Sequence, residues 1–420
     1  MKDYLFRLGV FVLVVGIVVG FTAHAVARQE LQILVHEGGD YLERTIKFWD
    51  AFQQANPDIS IEIVPGPGSG TGTEKLALMV AAGIPPDLVR TYCTSIKFLG
   101  DAGLLQDITS RYQSLPASLR NDIWPVLIDN LSYRGRLYAL PMGTVATLFF
   151  YNKQHFNEKG VSTPSLSWSW EREGISELKK FVVADSGGVI NKWGLGAVGG
   201  DNFYPFIFSA SKGLPLFNED GTEFLGNRAE TRYALEVLHD LAQVHRVMSI
   251  SGGWTDFAEQ RVSSLVWGSF MAGYFPRYEN LDWDFALFPS LGEGRAAAVW
   301  PETPYGISVG AKNPELAWRA LEFIVSDEGQ RYAIELGWGV PPARRSMTVS
   351  AFMQYFRGKN IDAVAQMLSL PHNQPLPIQV TSDVTNVLKE AFRAVVLGQK
   401  APGQALDEVT PAIMALIQEE

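Results

Sequence analysis

The residues that most often carry catalysis are few in this chain and form no recognised catalytic motif. After residue 27 the chain has one cysteine and five histidines, at Cys93, His36, His155, His239, His245 and His372. No histidine pair has the H-E-x-x-H spacing of a zinc site, and no C-x-x-C pair occurs. A G-x-S-x-G nucleophile elbow is also absent. The sequence therefore predicts no metal site and no cofactor, and it favours a protein that is not an enzyme.

A glycine-rich loop at residues 66–72 (GPGSGTG) precedes a predicted helix, where backbone amides can bind an anion. It lacks the G-K-[ST] ending of a phosphate-binding loop and the G-x-G-x-x-G spacing of a dinucleotide site. Nucleotide binding is therefore not predicted. The loop is either a flexible turn or a ligand contact at the carboxyl end of a parallel strand, the edge where open α/β sheets bind ligands.

The N-terminal segment 1–27 is predicted to be a cleavable signal peptide. Lys2 and Arg7 precede an uncharged run at residues 8–21, and an A-x-A pattern ends at Ala25 or Ala27. The alternative is a transmembrane anchor, which usually needs about 20 apolar residues. The expected location is therefore the periplasm.

Composition limits the partners that this chain can have. Its 420 residues suggest two lobes of roughly 150–200 residues each. The formal net charge of −10, without a basic cluster, argues against nucleic acid or an anionic membrane surface as a partner. Cys93 is far from the N-terminus, which excludes a lipid anchor on a processed cysteine, and a single cysteine permits no internal disulfide.

A secreted glycoside hydrolase is an alternative, because aromatic-rich exported proteins often act on sugars. Such an enzyme needs two carboxylates about 5–10 Å apart. Asp282, Asp284, Glu293 and Glu302 are candidates, but no pattern marks one of them as a general acid. A sensory or structural exported protein is a further alternative.

The start of the predicted mature chain alternates strands and helices. The predicted order is strand 31–36, helix 41–56, strand 58–64, helix 74–82 and strand 87–92. Pro57 and Gly83 end the two helices. This order predicts an α/β fold with a parallel sheet and right-handed crossovers.

Residues 134–156 (RGRLYALPMGTVATLFFYNKQHF) contain a turn, a Pro–Met–Gly break and an apolar run. The run at 145–151 is rich in β-branched and aromatic residues, which predicts a strand buried on both faces. A chain that stops at residues 141–143 and restarts as a core strand is predicted to pass there from one lobe to another. The cleft between the lobes would be the working site.

Several short motifs follow one another along the chain in a specific order. They are N-P-D at 56–58, E-K-L at 74–76, G-I-P-P-D-L at 83–88, G-L-L-Q-D-I-T at 103–109, G-R-L-Y-A-L-P at 135–141 and Y-N-K at 151–153. Their joint order resembles that of the extracellular solute-binding proteins of ABC importers. Within that group the chain is similar to the carbohydrate-binding branch (family 1, maltose-binding-protein-like).

The resemblance implies a periplasmic-binding-protein type II-like fold, in which three hinge crossings join two α/β lobes around a ligand cleft. Lobe 1 is expected to comprise the segments 28–139 and 290–330, and lobe 2 the segments 140–289 and 331–420. The second and third crossings are expected near residues 286–290 and 327–332. The implied function is a monomeric receptor that binds a carbohydrate, closes its lobes and delivers the ligand to a membrane permease.

A sugar site needs flat aromatic platforms and polar side chains around them. The candidates at predicted strand ends and crossings are Glu37, Asp40, Ser69, Thr71, Asp87, Tyr92, Met142, Thr144, Trp254, Trp267, Trp300, Glu302, Tyr305, Trp338 and Arg344. Trp267 and Trp338 could equally belong to the core, and Asp40 could cap the helix that follows it. For Trp300, the resemblance implies an aromatic platform.

One departure from the family concerns the ligand. Several sugar-binding relatives carry a carboxylate just after the crossing proline, whereas residues 142–145 of this chain are Met, Gly, Thr and Val. A different or larger sugar is therefore expected. The alternative ligand is a glycerol phosphate ester or another polyol-like solute, bound through the glycine-rich loop and Arg344, although Arg344 could instead pair with a surface carboxylate.

Overall fold

The computed structural model describes residues 28–36, 38–66, 72–352, 354 and 356–419. The strands are β1 Gln29–Val35, β2 Ile59–Pro65, β3 Leu88–Arg90, β4 Ser132–Tyr133, β5 Arg136–Leu137, β6 Gly143–Asn152, β7 Val183–Ala184, β8 Ile190–Leu195, β9 Val262–Gly268, β10 Trp283–Ala286, β11 Val299–Glu302 and β12 Tyr305–Ile307. No helix of the described ranges is long and apolar enough to cross a membrane, and the predicted signal peptide lies outside them.

The helices connect these strands and cover the sheets. The α-helices assigned within the described residues are α1 Gly39–Ala55, α2 Gly72–Ala81, α3 Ile96–Asp101, α4 Thr109–Ser114, α5 Ala117–Arg120, α6 Pro125–Asn130, α7 Lys153–Glu158, α8 Tyr204–Ala210, α9 Ala229–His239, α10 Trp254–Ala258, α11 Pro314–Val325, α12 Asp327–Glu335, α13 Arg345–Met347, α14 Ile361–Leu368, α15 Ser382–Val396 and α16 Pro402–Glu419. Short 3₁₀ turns complete the connections, including Ser269–Gly273 and Phe275–Arg277.

The first sheet has the strand order β12-β3-β1-β2. β1 runs parallel to both β2 and β3, and β12 is antiparallel to β3. The predicted alternation of strands and helices is confirmed here, with β1 as the central strand. Helix α1 supplies Phe48, Trp49 and Phe52 to the buried core, since these residues recur at helical spacing.

The second sheet has the order β10-β6-β9-β8-β7, and β11 pairs with the first residues of β6. All ten residues of β6 are buried. The strand predicted at 145–151 to be buried on both faces is therefore confirmed. β6 has neighbouring strands along both edges and helices over its faces. Side chains on both faces are therefore buried, which requires the apolar composition of this run.

The chain passes between the two sheets at three places. Leu140 pairs with Tyr305 of the first sheet, and Gly143 pairs with Glu302 of the second. The first crossing therefore lies at residues 141–142 and the second at residues 303–304. Beyond α12, which packs on α1, Pro342 pairs with Gly143, so residues 337–360 form the third connection.

The strand pairing moves the second crossing from the expected residues 286–290 to residues 303–304. Ala286 ends β10, and Ser290 pairs with Ser169, so this apolar segment stays beside the second sheet. The expected third crossing, at 327–332, lies within α12. We infer that lobe 1 comprises the segments 28–141 and 304–336, and that lobe 2 comprises the segments 143–302 and 361–419.

Candidate functional site

The two sheets present the carboxyl ends of their parallel strands to each other at the crossings. The amide of Thr91, directly after β3, donates to the carbonyl of Pro304 at 2.8 Å. In the second sheet, β8, β9 and β10 share one direction, opposite to that of β6. Their carboxyl ends therefore lie where β6 begins, beside the first crossing. This cleft edge is where open α/β sheets bind ligands.

At the cleft edge a largely buried ion pair joins Arg90 of lobe 1 to Glu302, the last residue of β11 in lobe 2. Arg90 is 5% exposed, and its Nη2 atom lies 3.9 Å from the Glu302 carboxylate. The Arg90 guanidinium stacks on the half-buried Tyr92 ring at 4.0 Å, and His36 lies against the same ring. Burial, and then the charge of Arg90, lower the pKa of His36 to about 4, so His36 is neutral at pH 7.

The lobe 2 side carries four half-buried aromatic residues, Trp254, Trp267, Phe270 and Tyr274, which we call the aromatic face. The rings of Trp254 and Phe270 lie 6.2 and 6.5 Å from the ring of Tyr274. Trp267 sits under the loop before α10, since an added Cβ on Gly253 would meet the indole at 3.7 Å. Half-buried rings at a strand end expose the flat surface that a sugar ring can stack on.

A cavity of about 460 Å³ adjoins Trp267, and we call it the lobe 2 cavity. Its lining includes the loop after β8 and the polar residues Asn386, Lys389, Glu390 and Arg393 of α15. These polar residues follow helical spacing and share one face of α15. Lys389 pairs with Asp201 at 2.8 Å. The cavity volume falls within the range of about 300–1,000 Å³ that is typical of ligand pockets.

The other three polar side chains of that face, Asn386, Glu390 and Arg393, are exposed. None of them forms a side-chain hydrogen bond or an ion pair with another described residue. The lobe 2 cavity therefore offers an amide, a carboxylate and a guanidinium for hydrogen bonds to a polar ligand.

Direct contacts join the two lobes at one end of the cleft edge. The rings of Tyr41 and Tyr274 are 5.7 Å apart, and Asp40 pairs with Arg277 at 3.1 Å. Burial, followed by the Glu302 carboxylate, raises the pKa of Tyr41 well above its usual value. Tyr41 therefore contacts the aromatic face and is also affected by the charge of Glu302.

Six of the predicted site residues lie around the cleft edge, namely Asp40, Tyr92, Trp254, Trp267, Trp300 and Glu302. Trp300 and Glu302 are two residues apart in β11, so they share one face of that strand. Both are half-buried, whereas Val299 and Pro301 beside and between them are buried. Asp40 is exposed, and no side-chain cap is assigned at the start of α1.

Three of the predicted site residues serve the interior of lobe 1 or its opposite edge. Asp87 precedes β3 at the end away from the cleft, where its carboxylate accepts from the amides of Gln32 and Asn313. Tyr305 is fully buried, and its hydroxyl accepts from Trp49 Nε1 at 3.3 Å. Trp338 is 2% exposed and packs on Phe48, as the core alternative for this residue supposed.

The residues predicted at the first crossing are buried within it. Met142 is 1% exposed, and its carbonyl accepts from Gln330 Nε2 at 2.6 Å. Thr144 is fully buried, and its hydroxyl donates to the carbonyl of Trp300. The predictions at Glu37, Ser69 and Thr71 lie outside the described residues.

Arg344 is engaged by two carboxylates. Its Nε atom lies 2.9 Å from Asp122, and its Nη1 atom pairs with Asp327. Ser346 also donates to Asp122, so the arrangement fixes the third connection to lobe 1. Little of the guanidinium is left to bind an anionic ligand.

The residues that sequence reasoning missed are Tyr41, Phe270, Tyr274 and the polar face of α15. In sequence, α15 is an ordinary amphipathic helix, and polar residues on such a helix usually face solvent. Their position depends on which face α15 presents to the loop after β8, and that contact joins segments that are far apart in the sequence. The one local signal available was the occurrence of aromatic residues shortly after β9, at Phe270 and Tyr274.

The four carboxylates weighed for hydrolase chemistry have separate partners. Asp284 accepts backbone amides from Phe285 and Asn360, and burial raises its pKa. Asp282 lies near Lys153, at 3.8 Å. Glu293 pairs with Lys212 at the surface, while Glu302 pairs with Arg90 at the cleft edge. Within the described residues, no three His, Cys, Asp or Glu side chains are grouped as a metal site.

Comparison with known proteins identifies the family to which this architecture is similar. Residues 39–331 match the profile of the bacterial extracellular solute-binding proteins. A binding protein of Brucella abortus (strain 2308) is 23% identical over 410 residues, covering 90% of each chain. An arabinooligosaccharide-binding protein of Halalkalibacterium halodurans is 24% identical over 318 residues, covering 68% of this chain and 67% of the relative.

Solved structures show the same fold. An ABC substrate-binding protein from Listeria monocytogenes, in complex with cycloalternan, superposes with a TM-score of 0.78 at 20% identity. It covers 93% of this chain and 99% of its own. A cyclo/maltodextrin-binding protein complexed with maltotetraose gives a TM-score of 0.75, again at 20% identity, covering 93% and 98%.

Proposed function

Given that this chain belongs to the bacterial extracellular solute-binding proteins, we propose that it is the exported receptor of an ABC importer for a sugar or oligosaccharide. The observation that carries the proposal is the lobe 2 cavity, where Trp267 borders a polar face of α15 on which Asn386, Glu390 and Arg393 are unengaged. The receptor delivers its ligand to the permease subunits in the membrane and performs no catalysis.

The chemistry of this side of the cleft suits a carbohydrate. A sugar ring presents apolar C–H faces and a rim of hydroxyl groups. The aromatic face can stack on the former, while Asn386, Glu390 and Arg393 can exchange hydrogen bonds with the latter. Related proteins are named for arabinooligosaccharide and galactooligosaccharide binding, which supports an oligosaccharide as the ligand class.

Ligand binding is coupled to the movement of the lobes. A ligand that touches both sides of the cleft edge binds the closed arrangement more tightly than the open one, and so shifts the population toward closure. The first two crossings are only a few residues long, which permits rotation about residues 141–142 and 303–304. The closed form would dock on the permease.

A glycerol phosphate ester is the second candidate ligand. An sn-glycerol-3-phosphate-binding periplasmic protein of Yersinia pseudotuberculosis is 20% identical over 438 residues, covering 94% of this chain. However, Arg344 pairs with Asp122 and Asp327, and Arg90 pairs with Glu302. Since Arg344, the cation proposed for a phosphate, and the buried Arg90 already have carboxylate partners, the sugar is favoured.

A thermal-shift screen tests the proposal. The mature protein is heated with maltotetraose, galactotetraose, arabinotetraose, monosaccharides, polyols and glycerol phosphate esters. A ligand that binds only the folded state raises Tm, by an amount that corresponds to about 2.7 kcal/mol at a hundredfold excess over Kd. We expect an oligosaccharide to give the largest shift and calorimetry to confirm it.

Small-angle scattering of the protein with that ligand should show compaction. A shift with glycerol phosphate esters alone would contradict the proposal, as would a panel in which no sugar changes Tm. Bound sugar without compaction would contradict lobe closure alone.

A further inference from the structure

The two ends of the cleft edge differ in structure. At one end, three segments of the chain pack against one another and join the lobes. At the other end, the aromatic face continues into the lobe 2 cavity, whose polar side chains are exposed.

The joined end involves the start of α1, the turns after β9 and the third connection. Asp40 and Tyr41 of α1 contact Arg277 and Tyr274 of the turns. Arg44, one helical turn further along α1, donates to the carbonyl of Gly337 in the third connection at 2.9 Å. The start of α1 therefore contacts both of the other segments.

The third connection and the turns after β9 are in backbone contact. An added Cβ on Gly339 would lie 2.1 Å from the backbone nitrogen of Gly273, and the φ of Gly339 is +70°. Only glycine allows this approach without displacement of the backbone. The contact lies directly before Tyr274 in sequence, so little space remains for a ligand between the third connection and lobe 2 at this end.

We propose that the cleft is blind at the end formed by Tyr41, Tyr274 and the Asp40–Arg277 pair, and that the receptor therefore binds its oligosaccharide by one chain end. The remainder of the ligand leaves across Trp267 into the lobe 2 cavity. This inference rests on the proposed function and deepens it, since it selects linear chains with a free end over cyclic sugars and internal segments of a polymer. Tyr41 and Tyr274 are then residues that determine specificity.

The charges at the blind end are consistent with its role as a wall. Arg277 stacks on Tyr274 at 4.9 Å while pairing with Asp40, so the guanidinium is held against the ring from lobe 2 and against the carboxylate from lobe 1. Burial raises the pKa of the Tyr41 hydroxyl, which also hydrogen-bonds to the Tyr274 side chain, so the Tyr41 phenol stays uncharged. The Tyr41–Tyr274 contact excludes a bulky group by steric overlap, and the more exposed Asp40–Arg277 pair leaves no unpaired charge between these two residues to attract a charged one.

The experiment compares a linear tetrasaccharide blocked at either end. The probe is whichever of maltotetraose, galactotetraose and arabinotetraose gives the largest Tm shift with the wild-type protein. One derivative carries 2-aminobenzamide at the reducing end, and the other carries a benzoyl group on the terminal sugar at the non-reducing end. Affinities are measured by calorimetry.

The expected result is asymmetric. One block lowers affinity by roughly tenfold or more, because the bulky group overlaps the wall, while the other changes it by less than about threefold. Equal tolerance of both blocks would overturn the blind end and leave the proposed function intact, as would equal loss with both. If none of the unblocked sugars binds, the proposed function itself is overturned.

Two variants test whether this wall causes the difference in affinity between the two blocked sugars. In Tyr41→Ala and Arg277→Ala, the ratio of the affinities for the unblocked and the disfavoured blocked sugar should fall toward 1. A merely structural role would lower both affinities by the same factor and leave the ratio unchanged, which would overturn the assignment. Tyr233→Ala is the matched control, because Tyr233 is an exposed lobe 2 tyrosine bonded to Glu171 and not to the cleft.

Discussion

The two sides of the cleft edge differ in how far their polar groups are already engaged. On the lobe 1 side, Arg90 pairs with Glu302 and stacks on Tyr92, and His36 is neutral. On the lobe 2 side, the aromatic face is half-buried and the polar face of α15 is largely unengaged. Internal pairing stabilises a fold, whereas exposed rings and unpaired donors bind ligands. We therefore expect the polar groups of lobe 1 mainly to stabilise the fold, and those of lobe 2 to supply most of the affinity for the ligand.

The largest effect should come from breaking the ion pair that joins Arg90 of lobe 1 to Glu302 of lobe 2. In Arg90→Met, the Glu302 carboxylate loses its cation in a half-buried position, which should lower the free energy of unfolding by about 3 kcal/mol. Chemical denaturation measures this loss. Arg319→Met is the control, since its pair with Asp58 is half exposed and should change stability by less than about 1 kcal/mol. Equal losses in the two variants would mean that Arg90 has no special structural role.

The next effect concerns the platform of lobe 2. Trp267→Ala should weaken binding of the sugar identified in the screen by roughly 30-fold, about 2 kcal/mol, because a stacking surface is lost. Trp193→Ala is the matched control, since Trp193 is also half-buried but pairs with Val262 at the far end of β9. It should lower stability and leave Kd nearly unchanged. If the two variants weaken binding equally, affinity does not reside at the cleft end of the sheet.

The third effect is a dependence on pH that the two lobes share. His36 in lobe 1 and His155 in lobe 2 are both buried, and burial is the main cause that lowers the pKa of each to about 4, with help from Arg90 and Lys192 respectively. In the unfolded chain a histidine has a pKa of 6.5. Between pH 6.5 and pH 4 it is therefore largely protonated in the unfolded state and largely neutral in the folded state. Stability is therefore complete above pH 6.5 and falls as the pH decreases toward 4.

Differential scanning calorimetry between pH 7 and pH 5 checks this expectation. Tm should decrease over this range, in which few carboxylates titrate. Because each lobe contains one such histidine, both should weaken in parallel, without one lobe unfolding much earlier than the other. A Tm that is constant from pH 7 to pH 5 would show that the histidines are protonated in the folded protein.

Much of the fold could be predicted from local sequence. Periodicity predicted the three parallel strands of the first sheet, and the composition of residues 145–151 predicted the buried strand β6. The crossings were harder, because a change of sheet is defined by pairing. Residues 283–289 have the composition of a core strand, yet only the partner of β11 shows that the chain stays with lobe 2 until Glu302.

The site was predicted in part, and the reason lies in the direction of side chains. Trp254, Trp267 and Tyr92 were predicted because large aromatic residues near strand ends indicate the flat platforms that a sugar site needs. Asp87 is a polar residue beside a strand, as a ligand contact would be. However, it precedes β3, at the end away from the cleft, and its carboxylate accepts hydrogen bonds from backbone amides. The polar face of α15 carries no signal in sequence, since its role arises from a contact with a distant loop.

The single cysteine, Cys93, follows β3 and is 4% exposed, and burial raises the pKa of its thiol to about 12. At neutral pH this thiol carries almost no thiolate and is inaccessible to alkylating dyes. A cysteine introduced at the rim of the cleft would therefore react alone with a maleimide fluorophore. The natural protein is thus suited to conversion into a single-label optical sensor for its own ligand without removal of a native thiol.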